Sequence, residues 1–569
     1  MASRKTLLGG VQLKVENMSG FDKSRYNAFT APLGAIVPMV KQLLLPGTAK
    51  CSVKVSAQLP PLASDAFLRT HLKLEAFFIP LRICYGGFQS WFSGEQIRNV
   101  QQTLASAALP RLKCLGNYVD SSGVSHVYTQ AAFDVVFGPH SLMDYFGVKY
   151  HMGSGHVTPP LWAMPTGSNL NYSPFNIFPF IAYQLCYDHW YRNKLIENQL
   201  FCPVSYANNN QLAGALPYRT KDSIEDFVID LTSSNPLGSV PLFNGTLLEL
   251  RQRNYGFDYF TTALPSAQSG SPMSVNTSGG SFTISALRLQ NSLQEFAERN
   301  QVAGPDYLQV MRSRYGKAPS SQVVSRPVLL GSADFPMYTS GVEQSAPFDI
   351  NSTQTTNPFE GLGARFGRAH AEGSDFVCEC DVDEPGYLMV MCSVVPEANY
   401  AYGVSHDMRL FTGAGSIVDL PCAQLERTGM EPIWTEELSF DDADIPLGSR
   451  PVFGYQPRYM WHKAGQINEV HGLFRKGASL ESFIPQRSGY NGNNFSQINS
   501  NFLKVQPTDL DNVMAVSGSL SQYGVMVDSA ISLFVSEPLG ESVMPSLVDP
   551  SVEHGYSVYV KRGGISVND

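Results

Sequence analysis

Residues 386–395 read GYLMVMCSVV. The run carries no charge, and its apolar residues do not alternate with polar ones. A run of this length between turn residues predicts a strand buried on both faces. Residues 530–535 (AISLFV), followed by Pro538, predict a second strand of the same kind. Outward from these two runs the pattern changes to alternation. Cys51, Val53, Val55 and Ala57 are separated by polar residues, and so are Leu72, Leu74, Ala76 and Phe78, before Pro80 stops the strand. Residues two apart on a strand share a face, so these segments predict strands with one face in a core. The unit of strand followed by Gly, Pro or Asn recurs along the chain, which predicts a β-sandwich or jelly roll. No regular βαβ alternation is present, which excludes a doubly wound parallel sheet.

Helices are expected only in the connections. Pro179 sits where a first helical turn starts, and residues 180–198 continue as a helix. Ala286, Leu289, Leu293 and Phe296 recur at spacings of three and four and form one apolar stripe. Gly304-Pro305 opens a second helix ending near Tyr315-Gly316. The predicted helical segments therefore span about 179–198 and 284–316, the latter as a helical hairpin between strands. Residues 208–214, 266–280 and 489–494 read as loops.

Bulk composition points to a protein that buries its surface against copies of itself. Charged residues make up 16% of the 569, against roughly 25% in a typical soluble domain. Aromatic residues make up 11%, and interface cores lose charge while gaining aromatics. The net charge of -9 argues against a dedicated nucleic-acid binder, which is usually basic over the whole domain. The nine cysteines are odd in number and mostly isolated among apolar residues. They read as buried free thiols in a reducing cytoplasm. Neither a signal peptide nor a transmembrane run is expected, so no membrane insertion is predicted.

Catalytic and metal chemistry is not expected. Gly361, Gly363 and Gly367 mimic a dinucleotide fingerprint. That motif needs a strand before the glycines and a helix after them. Here Asn357-Pro358 precedes and a strand-like 375–380 segment follows, so a tight loop is the reading. Cys378 and Cys380 are spaced two apart without a second pair, which gives two core thiols rather than zinc ligands. His151 and His156 sit in a Gly-rich loop. Asp381 and Asp383, or Asp441, Asp442 and Asp444, lack EF-hand spacing and read as solvated acidic loops. A glycosidase-type centre needs two carboxylates at a concave aromatic site. Glu436 and Glu437 are adjacent and on a strand would point to opposite sides. The expectation is no enzyme, no cofactor and no resident metal.

One local bias remains. Arg4, Lys5, Lys14, Lys23, Arg25, Lys41, Lys50 and Lys54 are opposed near the start of the chain only by Glu16 and Asp22. Phe21, Tyr26 and Phe29 lie among them. Cations beside aromatics suit single-stranded nucleic acid, because phosphates take the charge and bases stack. Arg4, Lys5, Lys14, Lys23 and Arg25 are the candidate nucleic-acid residues, with no base-reading motif near them. An arm packed under a neighbouring subunit is the other reading.

Several motifs resemble those of one family in order. RQRNYGFDYFTTALP at 251–265, then Gln268 and Gly270, looks like the DYFTxxLPxxQxG stretch of Microviridae capsid proteins. Leu287-Arg288, Gln294, Glu298-Arg299, Tyr307, Tyr315-Gly316, Arg326-Pro327 and Leu330-Gly331 resemble the family's helical block. VFGYQPRY at 452–459 and GLFR at 472–475 resemble its FGYQxRY and GxFR elements. FFIPLR at 77–82 with Trp91 resembles FFVPxRLxxxxW. Ala182-Tyr183 to Trp190-Tyr191-Arg192 suits the family's helix, and Arg25, Asn27, Phe29 and Leu45-Pro46-Gly47 its N-terminal arm.

The resemblance, gokushovirus-like in style, implies a mainly β fold: one eight-stranded antiparallel jelly roll of the viral capsid type, with long inter-strand insertions containing a few helices. It divides the chain into an N-terminal arm at 1–50, partly internal, a capsid domain at 51–552 and an extension at 553–569. It implies a major capsid protein that self-assembles into a T=1 icosahedral shell around circular single-stranded DNA, made in the bacterial cytoplasm and resident in the virion. The implied partners are further copies of the chain, the packaged DNA, a small basic internal DNA-binding protein, a pilot protein and a host cell-surface receptor. Residues 271–281 are shorter than the insertion that builds the gokushovirus protrusion, so that protrusion is either absent or built from 111–160 or 205–245. A carbohydrate-binding β-sandwich and a phage tail or baseplate component are the competing readings.

Overall fold

The computed structural model describes residues 18–85, 130–148, 175–197, 247–267, 326–343, 365–401, 403–409, 420–422, 429–438, 451–463, 467–475, 477–487, 497–516 and 518–539, with short isolated pieces between them. Ten strands carry the architecture: β1 (Ser19–Asp22), β2 (Arg25–Ala31), β3 (Val37–Leu44), β4 (Gly47–Gln58), β5 (Thr70–Pro80), β6 (Val328–Pro336), β7 (Tyr338–Glu343), β8 (Arg365–Val382), β9 (Gly386–Pro396) and β10 (Val525–Glu537).

They form two antiparallel sheets. One runs β1-β10-β4-β8-β7, with β2 also paired to β10. The other runs β6-β5-β9-β3. Sequence neighbours such as β3 and β4 lie in different sheets, so the chain crosses between layers repeatedly. The alternation read from the sequence places one row of each strand between the layers. Cys51, Val53, Val55 and Ala57 of β4, Leu72, Leu74 and Ala76 of β5, and Ile531, Leu533 and Val535 of β10 share one buried cluster with Leu388, Val390 and Cys392 of β9. Each fully buried Leu, Ile or Val side chain contributes about 1.5–3 kcal/mol, so this shared cluster holds the layers together.

The second face of β9 is buried as well. Tyr387, Met389 and Met391 join Phe77 and Ile79 of β5 under the helix Phe178–Cys186. The apolar run at 386–395 is therefore covered on both sides, as its composition predicts. The 530–535 run differs. Strand β10 alternates between buried and exposed, and Phe534 is 56% exposed. Among the described residues no helix roofs this sheet as the 178–186 helix roofs the other, so the outward row of β10 keeps its access to solvent.

Pro179 does lie in the first turn of its helix, but the α-helix is shorter than its sequence predicts. At Tyr187–Tyr191 it becomes a π-turn, and Arg192 is extended. The wider turn aims Trp190 and Tyr191 at Phe77, with ring centroids 5.8 and 5.9 Å away. The indole of Trp190 also donates to the Pro327 carbonyl at 3.0 Å. Tertiary contacts thus end the helix where local propensity would continue it.

Of the three decoy glycines, Gly361 and Gly363 lie outside the described residues, and Gly367 lies in a strand rather than in a tight loop. Residues 365–367 begin β8, and a Cβ on Gly367 would lie 2.0 Å from the Ser64 carbonyl oxygen. The glycine is there for backbone approach. Cys378 and Cys380 are both buried and free, with Cys378 directly opposite Cys51 on β4. Cys422 is exposed, unlike the other described thiols. Among the described residues no helix is long and apolar enough to cross a membrane. The predicted hairpin at 284–316, His151, His156, Asp441, Asp442, Asp444 and residues 553–569 lie outside the described residues.

Candidate functional site

Of the five candidate nucleic-acid residues, Lys23 and Arg25 are described; Arg4, Lys5 and Lys14 lie outside. Strands β1 and β2 pair in succession with the two ends of β10, and Lys23 and Ser24 form the jog between them. The Lys23 backbone donates to the Leu533 carbonyl at 2.7 Å. Its ammonium sits 3.2 Å from the carboxylate of Glu537, which is only 2% exposed. The other oxygen of Glu537 accepts from the Leu45 backbone at 2.9 Å. A buried carboxylate needs such partners, so Lys23 clasps three distant segments together.

Arg25 reaches across to the second sheet and donates to the Lys41 carbonyl at 3.3 Å. Burial holds the Arg25 guanidinium below its ordinary pKa. Lys41 donates to the Phe146 carbonyl at 2.8 Å, and burial, then the nearby Arg25, lower its pKa as well. Both cations therefore spend part of their charge on backbone carbonyls.

The face next to this clasp joins cations to aromatics. Strand alternation turns Lys50 and Lys54 outward on β4. Across the ladder Lys50 lies opposite Phe534, and Lys54 opposite Ala530, whose other neighbour is Tyr26. Tyr26 is 81% exposed. Sequence reasoning found the lysines and Tyr26 but missed Phe534, because it read 530–535 as wholly buried. The outward row also holds Glu379 opposite Lys50, so its positive charge is local.

The family-like motifs meet in space. Asp258 accepts from the backbones of Phe260 and Thr261 at 2.9 and 2.7 Å, and from the Tyr400 hydroxyl at 2.6 Å. Gln456, on the strand Val452–Pro457, donates to the Tyr259 carbonyl and to the Thr262 hydroxyl, both at 2.8 Å. Leu264 and Tyr455 exchange backbone hydrogen bonds. The DYFTTALP and VFGYQPRY stretches are thus two halves of one docking arrangement. A profile of the family described as Capsid protein (F protein) matches residues 277–539. That match takes in a little under half of the chain and makes it similar to this capsid family over those residues. It is 25% identical over 343 residues to Capsid protein VP1 of Chlamydia phage 1, covering 56% of this chain and 52% of that protein. It is 21% identical over 497 residues to Capsid protein VP1 of Bdellovibrio phage phiMH2K, covering 80% and 82%. The chain thus spans about half the length of the first of these curated relatives and most of the second.

The adjacent carboxylates Glu436 and Glu437 correct the sequence reading. They sit on a 3-10 turn rather than a strand, and both face Arg409. Its two terminal nitrogens lie 2.5 Å from Glu436 and 3.2 Å from Glu437. Both carboxylates are buried, so the guanidinium neutralises part of their charge and ties the turn to the His406–Arg409 helical turn. Among the described residues no group of three metal-ligating side chains forms.

Proposed function

We propose that this chain is the major capsid protein of a small single-stranded DNA phage, assembling into a T=1 icosahedral shell around a circular genome. The observation that carries this reading is the match of residues 277–539 to the capsid family. The strand order supports a jelly roll of the viral capsid type. Labelling β2, β3, β4, β5, β6, β8, β9 and β10 as successive strands B to I gives the sheets B-I-D-G and C-H-E-F. That alternation between layers supports the winding of an eight-stranded jelly roll. Strands β1 and β7 then extend the first sheet at its margins.

The same assignment shifts the proposed boundary of the 1–50 arm, because strands B and C at 25–44 then belong to the capsid domain. One capsid domain carries the long insertions, residues before it form a partly internal arm, and residues 553–569 an extension. The partners are copies of the chain, the packaged DNA, a small basic internal protein, a pilot protein and a host surface receptor. Arg4, Lys5, Lys14, Lys23 and Arg25 face the genome, with contacts to phosphate and without sequence preference. The outward Tyr26, Lys54, Lys50 and Phe534 row offers charge and stacking surfaces on the other side of the sheet from Arg25, whose side chain reaches Lys41 of the second layer.

The test is size-exclusion chromatography of the purified chain with nuclease-protected DNA measured in each fraction. Elution as a large particle containing protected DNA is expected. A chain that stays monomeric at high concentration under virion-like conditions overturns the reading. Neutralising Arg4, Lys5, Lys14 and Arg25, with Lys23 kept because it pairs with buried Glu537, should lower DNA per particle more than particle yield. Parallel loss of both overturns their assignment to the genome.

A further inference from the structure

A cavity of about 1040 Å³ opens beside the DYFTTALP turn. Its aromatic side is made by Tyr259, Phe260, Tyr400 and Trp461. Phe260 lies 5.3 Å from Tyr259 and 4.9 Å from Tyr400, centroid to centroid. Trp461 is stacked on His406 at 5.0 Å, and His406 is hydrogen-bonded to Glu437 at 3.1 Å. The wall is therefore rigid where the rings are.

One group in this wall is unexplained by the fold. Tyr259 is 2% exposed, and its buried hydroxyl has no hydrogen-bond partner among the described residues. The neighbouring Tyr400 hydroxyl is satisfied by Asp258. Leaving a buried hydroxyl unpaired costs about 1–3 kcal/mol, and such a group in a cavity wall points to an absent partner. Burial, and then the charges of Glu437 and Glu431, hold the Tyr259 phenol well above its ordinary pKa, so it stays neutral. A neutral phenol offers lone pairs to a donor.

Charge selects the ligand. Among the lining groups Asp407, Glu437 and Glu469 are negative and Arg475 is positive. Arg409 behind the wall pairs with both Glu436 and Glu437. The cavity repels anions. Aromatic faces beside carboxylates attract ammonium groups, and the volume of about 1040 Å³ exceeds what one ammonium needs. The described side chains bring no three metal ligands together, which disfavours an inorganic cation.

We propose that this cavity binds an aliphatic polyamine, with one ammonium against the Trp461 and Tyr259 wall and the chain extending toward Glu469. Neither the shell geometry nor the genome contacts enter this inference, so it stands or falls apart from them.

The experiment is calorimetric titration of the purified, nucleic-acid-free protein with spermidine. Saturable binding is expected, weakened about tenfold in Trp461→Ala through loss of the aromatic face. Tyr259→Phe removes one oxygen and leaves the packing, and it should weaken binding severalfold while particles still form. A neutral diol of matching length and the disaccharide maltose should not bind. Three results overturn the proposal: no saturable spermidine binding, binding unchanged by both Tyr259→Phe and Trp461→Ala, or binding of the diol or maltose as tight as that of spermidine.

Discussion

The ammonium of Lys23 lies 3.2 Å from the carboxylate of Glu537, 514 residues further along the chain. Because Glu537 also accepts from the Leu45 backbone, this single carboxylate fixes the first strands, the β3–β4 turn and the end of β10. Lys23→Met removes the cation and leaves Glu537 buried. The expected cost is about 2 kcal/mol. It should be read as a lower urea midpoint, with faster proteolysis near Ser24 than in the unsubstituted chain. An unchanged midpoint would mean that the clasp contributes nothing.

A second ion pair locks the helix side of the sheet. Arg253 makes two hydrogen bonds to Glu75, at 2.7 and 2.8 Å, and lies over the Tyr191 ring at 5.3 Å. Tyr191 also donates to Glu75. Removing the guanidinium strands a half-buried carboxylate. Arg253→Met should destabilise the chain by about 3 kcal/mol. The double variant Glu75→Gln/Arg253→Met should recover part of that loss, and equal midpoints for single and double variants would refute the coupling.

Backbone approach at Gly367 is equally specific. A Cβ there meets the Ser64 carbonyl oxygen at 2.0 Å. Gly367→Ala should cost about 3 kcal/mol by forcing β8 away from the 60–64 segment. Soluble yield and the urea midpoint measure it, and a neutral outcome would place the segment further from β8 than described.

How much of this was legible in the sequence depends on which contacts are local. The two-face burial of β9 could be read from 386–395, because an uncharged run tolerates no solvent face. The 530–535 run has the same composition, yet Phe534 is exposed, since composition does not say whether a second layer lies above a sheet. Helix 178–186 begins at its proline as expected and ends early because Trp190 and Tyr191 are claimed by Phe77 and Glu75. Lys23 was visible as a charge, but its partner Glu537 was not, being brought close only by the pairing of β1 with β10. Glu436 and Glu437 misled for a similar reason: Arg409 draws both onto one side of a turn.

Acid should loosen the packing around His140. Burial lowers its pKa from the ordinary 6.5, opposed by Asp144, and its ring is hydrogen-bonded to Thr30 at 2.7 Å. A depressed histidine pKa means that the unfolded chain binds the proton more tightly. Its contribution to stability is therefore present in full above pH 6.5 and is lost as pH falls through that value toward the lower folded pKa. His140→Asn suits the left-handed backbone there, φ 66°. The variant should show a smaller loss of stability between neutral and mildly acid pH, followed by urea melts. An unchanged pH slope would contradict this assignment.

The most direct test of the account is electron cryo-microscopy of purified particles. The account predicts closed T=1 icosahedral shells in which the B-I-D-G and C-H-E-F sheets can be traced, with Arg4, Lys5, Lys14, Lys23 and Arg25 on the genome side. Particles of another symmetry, an open fibre, or an N-terminal segment on the outer surface would contradict it.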